Sequence, residues 1–254
     1  MRNHILLNPE VRPVWGGSDE ARLLAAYERV WERKAILRRL YETWYRQIAA
    51  SLREGNVVEI GAGTGNFKRW LHPRRCWTLD ILPGKHVDVQ ADALRAPLRR
   101  ESLDNIVMID TLHHIARPFT FLRRAADMLR PRGRVILVEP FVSVWGWIVW
   151  KFLHHERLDF DFAESDGAKE AWDGNAAIPR LVLAGWERER IPLRVRSVQY
   201  CEWLSYPLSG GFSYRSLLPG RVLLALHSLE RTALFQNRWV SLRVVAVLEK
   251  PLPA

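Results

Sequence analysis

The sequence Glu59-Ile60-Gly61-Ala62-Gly63-Thr64-Gly65 places three alternate glycines directly behind a short β-branched run that carries a carboxylate. Residues 56–60 have the composition of a buried parallel strand, and residues 66–71 can open a helix, so the glycines lie at a strand-to-helix turn. Glycine tolerates positive φ and lets backbone N–H groups approach a ligand without an intervening Cβ. The stretch predicts a nucleotide-binding turn.

The spacing of these glycines separates two nucleotide-binding folds. A dinucleotide fold uses G-x-G-x-x-G with an acidic residue about 20 positions later, and its third glycine would here fall at Asn66. The spacing G-x-G-x-G instead resembles the first motif of class I S-adenosylmethionine (SAM) dependent methyltransferases of the small-molecule, type 11-like kind. Four later segments follow in that family's order: Cys76-Trp77-Thr78-Leu79-Asp80, Gln90-Ala91-Asp92-Ala93-Leu94, 102–114 and 128–140.

The resemblance covers roughly residues 55–140 and implies that SAM is the cofactor and S-adenosylhomocysteine the product. It implies that Asp80 meets the ribose hydroxyls and Asp92 the adenine amino group. Asp110 and Thr111 follow the fourth strand, at the edge where open α/β sheets bind ligands, and are expected to contact the methionine part. The expected cofactor-binding residues are Glu59, Gly61, Ala62, Gly63, Thr64, Gly65, Asp80, Ile81, Asp92, Ala93, Asp110 and Thr111.

The remaining pattern predicts the fold class. Residues 55–140 supply five strands, 193–203 fit a sixth, 222–235 read as a helix, and 238–249 alternate as a seventh strand. A final antiparallel strand belongs to the methyltransferase sheet and not to a dinucleotide fold. We expect an α/β, Rossmann-like sheet of seven strands, mostly parallel with an antiparallel last strand, with helices on both faces.

Two segments are expected to surround this core. Residues 1–54 would form an N-terminal arm and a helical cover, since apolar residues recur at helical spacing through 19–52, as one long helix or two with a bend. Residues 55–254 would form the SAM-binding domain, with a lid or substrate insertion at about 141–192. Long insertions in compact domains usually carry function.

The insertion opens on an aromatic run at 141–150. On a helix one apolar face would consist of Phe141, Val144, Trp145, Ile148 and Phe152, but Trp147 and Trp150 make the other side apolar too, so the run needs cover on nearly all sides. Core packing, a wall for an apolar substrate and shallow insertion at a membrane surface each account for such a run.

The candidate catalytic residues are His114, His154, His155 and Glu156. Methyl transfer from SAM is an in-line displacement that mainly requires alignment, and an oxygen nucleophile also needs a base with a pKa near working pH. His114 belongs to a Leu-His-His-Ile run that is common in small-molecule methyltransferases of this kind. Consecutive helical residues point about 100° apart, so His154 and His155 are poorly placed to chelate one ion, and we expect no metal.

The composition limits the partners and the compartment. The 254 residues are 48% hydrophobic and carry a net charge of +10, which raises nucleic acid or an anionic membrane as a partner. Arginine outnumbers lysine 32 to 6, however, and the basic residues are dispersed. Two cysteines are too few for a disulfide framework. No signal-peptide core or membrane-spanning apolar run is visible, so we expect a cytoplasmic protein.

Three functions compete. The leading one is methyl transfer to a small, partly apolar acceptor, such as a natural product, a quinone-like ring or a lipid intermediate, with peripheral membrane contact as an option. The second is methylation of nucleic acid, against which the fourth strand ends Asp110-Thr111-Leu112-His113 and not in an Asn/Asp-Pro-Pro-aromatic turn. The third is a protein that binds SAM without methyl transfer or uses it for other chemistry. The acceptor atom and oligomeric state stay open.

Overall fold

A computed structural model describes residues 6–17, 19–153, 157–164 and 173–253. The strands are β1 Val57–Ile60, β2 Trp77–Asp80, β3 Val89–Gln90, β4 Leu103–Ile109, β5 Leu129–Pro140, β6 Arg194–Cys201 and β7 Arg243–Glu249. They form one sheet in the order β3-β2-β1-β4-β5-β7-β6. Strands β5 and β6 both pair antiparallel with β7, and the other pairs are parallel. The predicted seven-stranded sheet with an antiparallel last strand is confirmed.

Helices cover both faces of this sheet. They are α1 Glu20–Arg33, α2 Ala35–Ser51, α3 Asn66–Leu71, α4 Pro118–Met128, α5 Val144–Leu153, α6 Ile178–Ala184, α7 Ser205–Ser209 and α8 Gly220–Glu230. Successive residues of β1 face opposite sides, as the pleat of a strand requires. Val57 packs with α1 and α2, whereas Val58 packs with α4 and α6. Burial on both faces accounts for the consecutive apolar residues Val57 and Val58 in β1 and 106–109 in β4.

The apolar pattern at 19–52 forms two helices that meet at Lys34. Lys34 ends α1 and precedes α2 with φ −100° and ψ 81°. Its Nζ donates to the carbonyl oxygens of Gly211 and Tyr214, at 2.6 and 2.9 Å. Burial lowers the pKa of Lys34 to about 8. The bend is therefore fastened to the loop that follows α7.

The segment expected as an N-terminal arm packs against that same loop. Leu7 forms a bridge with Tyr214, and the Asn8 N–H donates to the Ser213 carbonyl at 2.9 Å. Val11 is completely buried. Residues 6–17 therefore belong to the body of the protein.

The aromatic run corresponds to α5, which is covered on one side and not on nearly all sides as its composition suggested. Val149 and Trp150 are buried, whereas the exposed apolar residues of the helix are Val144, Trp145, Trp147 and Ile148. Trp150 joins Val142 and Ala176 in a separate small cluster, so contacts within the insertion fix the rotation of the helix. Among the described residues, no helix is both long and apolar enough to cross a membrane.

Candidate cofactor and active site

The glycine turn joins β1 to α3 and is closed by hydrogen bonds to β2. The N–H groups of Gly61 and Ala62 both donate to the Leu79 carbonyl, at 2.8 and 3.3 Å, and the Gly65 N–H donates to the Ala62 carbonyl at 2.8 Å. Gly61, Gly63 and Gly65 have φ of +73°, +49° and +65°. This left-handed backbone is costly for any residue with a Cβ, which explains why the three positions are glycine.

The three glycines differ in what surrounds them. A Cβ at Gly61 or Gly65 would lie 2.2 or 2.3 Å from a neighbouring side chain, so these two glycines are required by packing. A Cβ at Gly63 would meet only Leu24 Cδ1 of α1, at 3.8 Å. Gly63 thus borders open space, as a backbone that receives a ligand would. Ala62 and Thr64, between the glycines, are buried.

Asp80, at the end of β2, holds the turn in place. Its Oδ2 accepts from the Gly63 N–H at 2.7 Å, and its Oδ1 accepts from the Leu82 N–H at 2.9 Å. A carboxylate offers about four lone-pair sites, so each oxygen retains one for a ligand. The neighbouring Ile81 is about half exposed. The ribose contact of Asp80 stays a prediction.

Asp92 and Ala93 follow β3 beside this position. The Ala91 N–H donates to the Asp80 backbone carbonyl at 2.9 Å, which keeps the ends of β2 and β3 together. Asp92 Oδ1 accepts from the Leu94 N–H at 2.8 Å and caps a 3₁₀ turn, Ala93–Arg95. The structure thus brings the two predicted carboxylates to adjacent strand ends, and the adenine contact of Asp92 stays a prediction.

Asp110, after β4, has its carboxylate occupied by protein groups. Arg243 of β7 donates to Oδ1, and the Tyr41 hydroxyl of α2 donates to Oδ2 at 3.0 Å. The Arg243 guanidinium is buried and lies 3.9 Å from the centre of the Trp44 ring. Asp110 also has φ +51°, a strained value for a residue other than glycine. Sequence patterns did not reveal this pair, and the predicted contact of Asp110 with the methionine part is untested.

Glu139, at the end of β5, organises the turn that follows Asp110. Its Oε1 accepts from the N–H groups of Thr111 and Leu112 at 2.9 and 2.7 Å, and its Oε2 lies 2.6 Å from His113 Nδ1. Both Glu139 and His113 are buried. The carboxylate therefore fixes the 3₁₀ turn Leu112–His114, a role that the sequence did not disclose.

His114, the candidate base in the described part of the chain, lies on this turn beneath the insertion. A Cβ at Gly174 would approach His114 Cε1 to 2.9 Å, and the Asn175 N–H donates to the His113 carbonyl at 3.0 Å. The insertion therefore covers the turn that carries His114. The other candidates, His154, His155 and Glu156, lie outside the described residues, and their roles stay predictions.

Glu59 supplies a further test of whether SAM fits. It lies in β1 directly before the glycine turn, is buried, and its Oε2 has no hydrogen-bond partner among the described residues. Burial, with a smaller contribution from the Asp80 carboxylate, raises the pKa of Glu59 to about 8. An unpartnered buried carboxyl suits a cofactor that carries ammonium and sulfonium charges. Together with the open space at Gly63, the residues present fit SAM, which supplies an electrophilic methyl group when bound.

Comparison with known proteins agrees with this geometry. A family model described as a methyltransferase domain matches residues 32–181. A SAM-dependent methyltransferase from Thermotoga maritima is 18% identical, with a TM-score of 0.53, over 90% of this chain and 97% of that chain. One from Archaeoglobus fulgidus is 15% identical, with a TM-score of 0.52, over 84% and 94%. Geranyl diphosphate C-methyltransferase from Streptomyces coelicolor A3(2) is 11% identical, with a TM-score of 0.51, over 96% and 89%.

No curated protein sequence matches the chain. The solved structures are too distant in sequence to show more than a shared fold, but the family model spans more than half of the chain. The chain belongs to the methyltransferase-domain family and is a class I SAM-dependent methyltransferase.

Proposed function

We propose that the protein transfers the methyl group of SAM to a small, partly apolar acceptor held by the insertion at 141–192. The observation that carries the proposal is a shallow cleft of about 360 Å³, broadly open to solvent, on the described part of the insertion; it is lined by Ser143, Val144, Trp147, Phe160 and Arg180. Small-molecule sites commonly measure about 300–1,000 Å³ and combine apolar walls with a few polar groups. Two aromatic rings, a valine and one guanidinium fit an apolar molecule with an anionic or polar end.

The cleft is tied to the turn that carries His114. Arg180 belongs to α6, which packs on the Leu112–His114 turn, and its guanidinium donates to the Val142 carbonyl at 2.6 Å. The guanidinium also lies 5.8 Å from the centre of the Phe160 ring. The cleft wall and the turn after β4 are therefore parts of one packed unit, which supports an acceptor placed next to the cofactor edge.

In the proposed reaction the acceptor's lone pair forms a bond to the methyl carbon while the carbon–sulfur bond breaks. For an oxygen acceptor, His114 would take the hydroxyl proton, with His154, His155 and Glu156 as further acceptor contacts. Helices α1 and α2 would act as a cover, which the approach of Leu24 to Gly63 supports. Alignment and exclusion of water are the contributions expected from the chain.

The exposed side of α5 favours an acceptor with membrane-like chemistry. Val144, Trp145 and Ile148 form an exposed apolar surface, and Lys151 Nζ lies 4.4 Å from the centre of the Trp147 ring. Tryptophan beside a cation is the composition of interfacial helices. A lipid intermediate taken from an anionic bilayer is one form of the proposed acceptor. Sedimentation with anionic vesicles, compared with zwitterionic ones, distinguishes it from a freely dissolved acceptor.

The central experiment measures SAM binding and methyl transfer separately. Calorimetry should show one SAM bound per chain, and radiolabel from the methyl group should pass to an apolar acceptor from a compound panel. Trp147→Ala should raise the acceptor KM and leave SAM affinity unchanged. Trp77→Ala is the matched control, because Trp77 is an exposed tryptophan at the first residue of β2, whereas Asp80 lies at the last residue of the strand.

Two results would contradict the proposal. One is methylation of RNA, with retention that survives 200 mM salt, a concentration at which phosphate-driven binding has weakened by about 10³–10⁵ for six to ten contacts. The other is equal acceptor kinetics for Trp147→Ala and Trp77→Ala. The base role has its own test: His114→Ala should lower turnover at neutral pH and recover at high pH, and uniform loss across the pH range would exclude it.

A further inference from the structure

A second group of ionisable side chains lies away from the cofactor edge. Glu202 follows β6, and His227 and Glu230 lie three residues apart on α8, so they share one helix face. The three residues are 4%, 7% and 2% exposed. One ligand atom from each lies within 4.8 Å of the others. None of them belongs to the predicted cofactor or acceptor residues.

Two carboxylate oxygens, Glu202 Oε2 and Glu230 Oε2, share a single hydroxyl donor, so among the described residues one of them lacks a proton or a cation to interact with. Glu202 Oε1 accepts from Trp44 Nε1 at 3.0 Å, and Glu230 Oε1 accepts from the N–H groups of Leu204 and Ser205, both at 2.7 Å. The Ser205 hydroxyl lies 2.7 Å from Glu202 Oε2 and 2.5 Å from Glu230 Oε2. A hydroxyl has one proton to donate, so it satisfies one of these two oxygens.

His227 directs its ring nitrogen Nδ1 toward the carboxylates of this cluster. Its Nε2 lies 3.0 Å from Thr43 Oγ1, and that hydroxyl donates to the Arg39 carbonyl at 3.4 Å. The Thr43 hydroxyl thus contacts Nε2, and Nδ1 is the ring nitrogen that faces the two carboxylates. Nδ1 lies 3.5 Å from Glu202 Oε1 and has no hydrogen-bond partner among the described residues. A buried ring nitrogen thus faces a carboxylate oxygen, which is the placement that a shared metal ion requires.

The arrangement matches the needs of a metal ligand set. Zinc binds histidine nitrogen and carboxylate oxygen at about 2.0–2.2 Å, so two tetrahedral ligands lie about 3.4 Å apart, close to the observed separation of Nδ1 and Oε1. Metal-binding histidines commonly donate their second N–H to a fixed acceptor, and the Thr43 hydroxyl lies 3.0 Å from Nε2, in place to be that acceptor. Two carboxylates would balance the charge of one divalent ion.

The cluster also has room for additional ligands. A cavity of about 310 Å³ adjoins it, and Gln47 Oε1 on its wall is buried and without a hydrogen-bond partner in the described part of the chain. Arg46 and Arg231 also line the cavity, and Arg46 is paired with Glu42 at 2.8 Å. The space is sufficient for water to complete the coordination.

We propose that Glu202, His227 and Glu230 bind one divalent transition-metal ion, with Zn²⁺ as the ion to test. The ion would join the end of β6 to α8, and through Trp44 to α2. Glu202 has φ +57° and accepts from the Leu242 N–H at 2.8 Å through its carbonyl, so the strained backbone at this point is fixed to the segment before β7. The site is independent of the acceptor chemistry and would strengthen the fold.

The test measures zinc directly on the full chain without a histidine tag. The protein is stripped with chelator, incubated with Zn²⁺, desalted and analysed by mass spectrometry for bound metal. One equivalent is expected, together with a higher Tm than that of the stripped protein. Equimolar Mg²⁺ should not displace it, because imidazole ligands disfavour Mg²⁺. His227→Ala and Glu230→Gln should lose most of the zinc.

Two further variants test whether the bound zinc lies at this cluster. The double variant His154→Ala/His155→Ala removes the two consecutive histidines of the insertion and should retain one equivalent of zinc. Thr43→Val keeps all three ligands, so it serves if a ligand variant fails to fold, and should raise the zinc Kd about 10- to 100-fold. Absence of zinc from the parent protein would overturn the proposal. The cluster would then be a buried group of side chains whose charges are balanced by protons. Zinc retained by His227→Ala and Glu230→Gln, or lost with His154 and His155, would also overturn it.

Discussion

Gly63 offers the sharpest separation between binding a cofactor and holding the fold. The backbone at this position has φ +49°. A Cβ added there would meet only Leu24 Cδ1, at 3.8 Å. The left-handed backbone costs about 1–2 kcal/mol for a residue with a Cβ. Gly63→Ala should therefore remain folded, with a Tm lower by about 2–8 °C, because 1 kcal/mol corresponds to about 2–4 °C in a domain of this size.

SAM affinity should fall much further than stability. The added methyl group would stand in the open space beside the turn, where the cofactor is expected to lie, so it would collide with the ligand and not with the protein. We expect SAM binding at least about 100-fold weaker, equivalent to about 2.8 kcal/mol, and abolished in Gly63→Val. Titration calorimetry gives the affinity, and thermal unfolding without ligand gives the stability.

Gly61→Ala is the matched control, since it adds the same atom at another positive-φ glycine of the turn. Its Cβ would lie 2.2 Å from Thr111 Oγ1, so about 1–3 kcal/mol of overpacking is expected beyond the backbone strain. Its Tm should fall further than that of Gly63→Ala. Equal SAM affinity for Gly63→Val and the parent protein would refute the assignment of the turn to the cofactor.

Three other changes test the groups beneath the site. Burial raises the pKa of Glu59 in the folded state to about 8 from the ordinary glutamate value of 4.5, so the folded state binds more protons than the unfolded state between these pH values. The unfolding free energy of the protein should therefore fall by about 1.4 kcal/mol per pH unit as the pH rises through that window. Glu59→Gln should flatten this pH dependence, measured by urea titrations at several pH values. The same pH dependence in the variant and the parent protein would contradict the prediction. Asp110→Asn should cost about 3 kcal/mol by leaving the buried charge of Arg243 uncompensated, and a loss below about 1 kcal/mol, within the range of a surface ion pair, would refute this. Glu139→Ala should cost about 3 kcal/mol or more and lower kcat, because several buried donors, His113 among them, lose their acceptor; a stable variant with normal kcat would exclude the positioning role.

The fold could be predicted because its signals are local. Strands β1 and β4 contain short apolar runs and are each followed at once by a residue with positive φ, Gly61 or Asp110, and hydrophobic patterning detects such elements. The carboxyl ends of parallel strands meet at one edge, so Asp80 and Asp92 could be placed there from order alone. The structure confirms their adjacency through the hydrogen bond from the Ala91 N–H to the Asp80 carbonyl.

The pairing between distant segments could not be predicted in the same way. Asp110 and Arg243 are 133 positions apart, and Glu139 reaches the turn at 111–113 from a neighbouring strand. Periodicity reports which face of an element is apolar and does not report its partners. The rotation of α5 could not be predicted for a related reason: with apolar residues on all sides, the sequence contains no preference that selects Val149 and Trp150 for burial.

Helix α2 connects the cofactor edge with the buried cluster around Glu202. Tyr41 donates to Asp110, whereas Trp44, one turn later, donates to Glu202. The Arg243 guanidinium lies over the Trp44 ring and contacts Asp110, so one cation is shared by the residues that serve both places. Interiors are close-packed, and a displaced ring forces its neighbours to move. An ion held at Glu202 would therefore also restrict Trp44 and, through Arg243, the strained backbone of Asp110 at the cofactor edge.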